Sequence, residues 1–318
     1  MGRLHIAALR AAEGAGLPCR LAAVCDGDPQ RLRGGGPKAG TIPGSDEPLF
    51  DPALVRGHRT PAELFADSDV DLVHICTWTD THVDLAIAAL AAGKHVVVEK
   101  PVAVRSLDVE RLLKAARASD RLCMPAMCMR FWPGWTWLKT RIETGEFGPV
   151  RSASFRRLGS APSWTGFYAD ESRSGGALFD LHIHDVDFIT WCFGAPDSVH
   201  TTGTSTHLTT LYRYRNGPAH VSAEGGWSLS PSAGFRMQYL VCFEGATAEF
   251  DLSRTPTTTL HRGDRSEPVE IPALGGYDAE VAAAVRAVAS GNRAGLPTLE
   301  EALTVTRLLE AERASLMG

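Results

Sequence analysis

Four short, continuous apolar runs set between helical stretches constrain this chain more than any other feature. The runs are RLAAVCD (20–26), VDLVHICT (70–77), KHVVVEKP (94–101) and LCMPAMCM (122–129). A strand with one wet face alternates apolar and polar residues, whereas these runs do not, so both their faces are covered. Between them lie helical segments. TPAELFAD (60–67) has Thr60 as a cap and Pro61 in the first helical position, 80–92 is amphipathic and closed by Gly93, and LDVERLLKAARASD covers 107–120. Strand–helix alternation of this kind predicts a parallel sheet with helices on both faces. The Gly- and Pro-rich segment 33–59 reads as loop.

The second part of the chain has a different rhythm. A helix near 133–144 leads into a strand at 149–157, and GGALFDLHIHDVDFITWCFG (175–194) reads as one helix ended by Gly194. Alternating strands over 199–271, with turns such as RNGP (215–218) and FEGA (243–246), predict an antiparallel sheet. Two helices, about 277–290 and 298–315, finish the chain. The expected organisation is therefore a Rossmann-like parallel domain over 1–129 and an α+β domain with an open, mainly antiparallel sheet over 130–318. The last helix is a candidate to pack back on the first domain.

At 318 residues, the chain has room for two domains. A net charge of −5 gives no electrostatic reason to expect nucleic acid, and no apolar run approaches the roughly 20 residues of a membrane helix. The seven cysteines contain no CxxC pair, and Cys25, Cys76 and Cys192 fall in apolar stretches. Reduced, buried thiols in a cytoplasmic protein are the expectation.

A parallel sheet with acid-tipped strands points to dinucleotide binding, where the first strand runs into G-x-G-x-x-G and a helix. The chain opens MGRLHIAALRAAEGAG, already helical, so only the last glycine is present, as Gly2. Asp26 is then the acid that closes the second strand and meets the adenosine ribose. The first strand is expected to be missing, with Met1 an internal methionine or a fragment end. The alternative is a naturally short start with a repaired sheet.

Two constellations carry chemistry. Glu99-Lys100-Pro101 closes a strand at the end where parallel sheets bind ligands, and Lys100 there suits a substrate hydroxyl; the bland reading is a solvated lysine. Asp180 and His184 are i, i+4 neighbours, with Asp187 a turn on. A histidine beside a carboxylate is a natural general base, although the same acids also complement a helix N-terminus. His182 and His184 point to different faces, so no metal site is expected.

These residues also carry a resemblance. MGRLHIAAL, the segment 70–103 and GGALFDLHIHDVDFITWCFG together resemble the Gfo/Idh/MocA family of NAD(P)-dependent oxidoreductases. The resemblance implies that Lys100, Asp180 and His184 form the catalytic set. It implies that Gly2, Asp26, Arg31, Thr77, His82 and Glu99, with Lys100, line the dinucleotide. Asp26 favours NAD, and Arg31 beside it leaves NADP as the alternative. It further implies that the open sheet forms a homodimer or homotetramer interface. Arg130, Trp132, Trp164, Tyr168 and Asp187 are the candidate substrate pocket, with core packing as the other reading of the aromatic residues. Trp78 stands where a small residue is common, and His182 where glycine is frequent, which favours a packing variant.

The expected function is an NAD(P)-dependent dehydrogenase acting on a secondary hydroxyl of a sugar, sugar derivative or cyclitol. The rivals are a non-catalytic dinucleotide or sugar sensor of the same fold and an inactive fragment.

Overall fold

The computed structural model describes residues 1–34, 48–163, 165–272 and 275–317. They form two compact units. Unit 1 comprises Met1–Ala103, Leu107–Ala126 and Tyr277–Ala302; unit 2 comprises Val104–Ser106, Met127–Gly276 and Leu303–Gly318.

Unit 1 begins with α1 (Gly2–Gly14), followed by β1 (Ala23–Cys25), β2 (Arg56–His58) and α2 (Pro61–Ala66). β3 (Leu72–Ile75), α3 (His82–Ala91), β4 (His95–Glu99), α4 (Ser106–Arg117) and β5 (Cys123–Ala126) continue it. All strand pairs are parallel: β1 with β2, β3 with β4, and β4 with β5. They make two sheets, β1-β2 and β3-β4-β5. Val96, Val97 and Val98 of β4 are almost wholly buried, as a strand covered on both faces requires. Val97, Met124 and Ala126 pack against Ala284 and Ala287 of a later helix, and Ala8 of α1 against Val281 and Val285. Thr60 and Glu63 complete a reciprocal capping box at the start of α2.

The loop expected over 33–59 contains β2, which corrects that reading; residues 35–47 lie outside those described. Arg-Gly-His has no apolar pattern. It pairs through its backbone, Val24 opposite Gly57.

In unit 2, α5 (Pro133–Thr144) leads to β6 (Val150–Leu158) and a short helix α6 (Glu171–Ser174). A π-helical turn, Leu178–His182, then runs into α7 (Ile183–Phe193). The single helix expected over 175–194 is therefore interrupted. Gly175 and Gly176 both adopt positive φ, 76° and 68°, which delays the helix start. Seven more strands follow: β7 (Ser198–Thr204), β8 (His207–Arg213), β9 (His220–Gly226), β10 (Arg236–Phe243), β11 (Thr247–Asp251), β12 (Thr258–Arg262) and β13 (Arg265–Pro268). The eight-stranded sheet has the order β13-β12-β11-β10-β6-β9-β8-β7. It is antiparallel except for β6 beside β9. Helices α8 (Gly276–Ser290) and α9 (Leu299–Met317) end the chain.

One face of this sheet builds the core of unit 2. Trp135 sits amid Phe155, Phe188, Tyr239 and Phe250, with ring centroids 4.7–6.2 Å away, mostly edge to face. Arg157 of β6 enters this core over the Trp135 ring and pairs with the fully buried Asp185 at 2.9 Å. All seven cysteines are free thiols. Cys128 is the buried one; Cys25, Cys76 and Cys192, expected in the core, are half-buried because each sits at or near an element's end. Among the described residues no helix is long and apolar enough to cross a membrane.

Candidate active site

In unit 1 the expected residues gather at the C-terminal ends of the parallel strands. Lys100 directly follows β4 and is partly buried. Glu99, its neighbour, is 4% exposed, and both its oxygens are engaged by the protein. Oε2 accepts from the Lys100 backbone N–H at 3.0 Å, and Oε1 accepts from Nε2 of His5 in α1 at 2.8 Å. His5 Nδ1 in turn lies 2.8 Å from Nδ1 of His74 in β3. Sequence spacing gave no sign of this buried chain of three, because its members come from three separate elements.

Its protonation states follow from geometry. Burial works against charge on His5, but the Cys76 sulfur and the Glu99 carboxylate hold its pKa well above the ordinary 6.5. Burial would raise Glu99, yet the His5 hydrogen bond and charge bring it below its ordinary value. Desolvation and the His5 charge push His74 well below 6.5. His5 is therefore the cation, Glu99 the anion, and neutral His74 accepts from His5.

His82, expected at the cofactor, is buried. Its ring bridges the Pro101 carbonyl at 2.9 Å and the Thr77 carbonyl at 3.1 Å, so it ties the turns after β3 and β4 together. Burial lowers its pKa, against the pull of the two carbonyls. Thr77 is exposed, and its hydroxyl meets that of Thr81 at 2.7 Å. Asp26 follows β1, accepts from the Asp28 N–H at 2.9 Å and meets Arg31 at 3.3 Å. A Cβ on Gly2 would find only the Cys76 Cβ at 3.8 Å, so packing does not demand glycine there. The first turn of α1 carries no side-chain cap. A carboxylate at a strand end, a hydroxyl after the next strand and uncapped helix N–H groups are the donor and acceptor set a dinucleotide takes, so the residues fit NAD.

In unit 2, Asp180 lies in the π-turn and His184 in the first turn of α7. Both are partly exposed, whereas His182, Ile183 and Asp185 are buried. The turn thus presents Asp180 and His184 on its outer side and sends His182 inward. The Cys128 sulfur lies 3.7 Å from His184 Nδ1, a contact the sequence did not reveal. Arg130 and Asp187, expected in the pocket, are buried and paired to each other, Nη2 to Oδ1 at 2.7 Å, with the guanidinium over the Trp191 ring. Tyr168 packs edge-on against Trp227, and Trp132 is half-buried. Trp164 lies outside the described residues. Trp78, in unit 1, is 43% exposed. Among the described residues no three His, Cys, Asp or Glu side chains gather to hold a metal.

Residues 1–127 match the GFO/IDH/MocA model described as "Oxidoreductase family, NAD-binding Rossmann fold", and residues 135–255 match the GFO/IDH/MocA C-terminal domain. The chain belongs to the GFO/IDH/MocA oxidoreductase family. Its N-terminal part is that family's NAD-binding domain. Mouse trans-1,2-dihydrobenzene-1,2-diol dehydrogenase is 29% identical over 67% of this chain and 65% of its own length. Myo-inositol 2-dehydrogenase of Thermotoga maritima is 31% identical over 44% of this chain and 41% of its own. The matches thus span less than two thirds of these relatives. A levoglucosan dehydrogenase, solved with NADH and levoglucosan, shares the fold with a TM-score of 0.83 at 20% identity, over 100% of this chain and 94% of that one.

Proposed function

We propose that the chain is an NAD-dependent dehydrogenase of a secondary hydroxyl on a sugar, sugar derivative or cyclitol. The observation that carries this reading is the turn that turns Asp180 and His184 outward together while its other polar side chains are buried. The relatives act, by their names, on a cyclic diol and an inositol, which supports the substrate class.

NAD supplies the hydride acceptor. His184 removes the hydroxyl proton. Its Nδ1 lies against the Cys128 sulfur, a contact that orients the ring. Asp180 orients the substrate or the histidine. Lys100 holds the reacting oxygen, and its ammonium favours the developing alkoxide. Asp26, Arg31, Thr77 and Gly2 contact the dinucleotide, while Glu99 and His82 hold the turns that flank it. Asp26 selects NAD through the ribose, and Arg31 keeps NADP as the weaker alternative. Arg130 and Asp187, as a pair, brace the segment after β5 against α7, and Tyr168 borders the substrate. The free thiols suit a reducing compartment, and on that ground we place the protein in the cytoplasm.

The test is NADH formation from a panel of sugars and cyclitols by the wild type and by Lys100→Ala. Turnover that falls about 10²-fold or more in the variant supports the reading. NADH binding without turnover of any polyol points instead to a sensor of the same fold.

A further inference from the structure

His182 has no part in the chemistry proposed above, yet it is a polar residue of the candidate turn that is fully buried, at 0% exposure. Its Nε2 lies 3.0 Å from Oε2 of Glu312 in α9, itself fully buried, and 3.2 Å from the Tyr212 hydroxyl in β8. Thr210, two residues earlier in β8, donates to the same Glu312 oxygen at 3.1 Å and meets Thr201 of β7 at 3.0 Å. Further along α9, Ser315 accepts from the Thr201 N–H, and Arg313 lies over the ring of Phe179 in the π-turn. The sheet leaves room for this imidazole at one place: a Cβ on Gly225 of β9 would fall 2.6 Å from His182 Nδ1.

We propose that His182 and Glu312 are positioning residues that fix the π-turn and so set the orientation of Asp180 and His184. The inference rests on the dehydrogenase reading for its consequence, but its geometry belongs to the turn alone. A dry acid–histidine pair is expensive, and here His182 Nδ1 and Glu312 Oε1 have no partner among the described residues. A packing role would be met by an apolar side chain at lower cost. What the pair adds is direction. A π-turn carries one more residue per turn than an α-helix would, and hydrophobic contact alone lets such a turn relax by one residue. A polar contact from its last residue to Glu312 fixes that register, and with it which side chains face outward.

The experiment uses the full chain with two substitutions, Glu312→Gln, which replaces the carboxyl group by an amide, and Gly225→Ala, which presses on the ring without altering any titratable group. Three readouts are taken: the ¹⁵N shifts of the His184 ring, assigned with His184→Gln; amide exchange over 178–184; and kcat and KM separately. The expected result is exchange at least about tenfold faster across the turn, altered His184 ring shifts, and kcat reduced about tenfold or more with KM for NAD unchanged. A lower melting temperature with wild-type ring shifts, exchange and kcat would overturn the inference, because the pair would then serve stability alone. Failure of both variants to fold overturns it for the same reason. If the wild type turns over no polyol but the ring shifts and exchange respond, the dehydrogenase reading fails while the positioning role stands.

Discussion

At the scale of single residues, the buried chain Glu99–His5–His74 gives unit 1 a distinctive response to pH. His5 has a raised pKa, so between its folded value and 6.5 the native state binds one more proton than the unfolded chain, and stability rises as pH falls. Below 6.5 the sign reverses. Unfolded His74 takes up a proton that the folded residue, with its lowered pKa, refuses. Glu99, lowered from 4.5, adds to the loss on the acid side. The contribution of the three therefore peaks near the ordinary histidine value. His74→Asn keeps an acceptor for His5 Nδ1 but cannot titrate, so it should flatten the limb just below the maximum. Urea unfolding from about pH 5 to about pH 9, followed through exchange of the β4 amides, measures this. An unchanged acid limb in the variant would refute the assignment of charges. At this scale the sequence marked Lys100, Asp180 and His184 as candidates, since each sits in a local pattern. Partners such as His5 with Glu99, or Arg130 with Asp187, were illegible because elements far apart in sequence bring them together.

At the scale of elements, the turn before α7 shows what periodicity conveys and what it omits. The apolar spacing over 175–194 correctly indicated a helix, but a π-turn leaves no mark in composition, and paired glycines read as ordinary punctuation. Their conformation decides where the helix begins. At Gly175, φ is +76°, and a Cβ would lie 2.4 Å from the Phe179 Cβ inside the π-turn. At Gly194, which ends α7, φ is also +76°, but nothing lies within 4 Å of a Cβ. The two positions separate backbone strain from collision. Gly194→Ala should cost about 1–3 kcal/mol from backbone strain alone, since its φ of 76° with ψ of −174° is a conformation that essentially only glycine adopts. Gly175→Ala should cost about 2–5 kcal/mol, since overpacking adds about 1–3. It should also slow turnover, because the displaced ring belongs to the turn that holds Asp180. Denaturant midpoints and kcat for the pair check this; equal costs would mean that the Phe179 contact relaxes freely.

At the scale of the whole molecule, the change from parallel to antiparallel pairing was legible because burial writes itself into apolar patterning. Strands covered twice gave continuous runs, and the later sheet gave alternation. β2 escaped notice because it buries almost nothing. The alternation also leaves polar side chains along one face of the eight-stranded sheet. Register places Leu240, Ser154, Ser222 and Leu211 in one row across β10, β6, β9 and β8 on that face. Leu240 is 46% and Leu211 41% exposed, and the two serines between them are small. A flat row of hydroxyls flanked by leucines suits face-to-face packing against a second copy, the arrangement the family resemblance implies. Such an isologous contact needs about 800 Å² from each protomer, and a charge introduced near its centre is repeated by symmetry. Leu240→Lys should therefore convert the assembly to a species of 34.1 kDa in light scattering, while Leu54→Lys, at an exposed position in unit 1, should leave it unchanged. A wild type that already runs at the monomer mass, or a Leu240→Lys variant of wild-type size, would remove this face as the site of self-association.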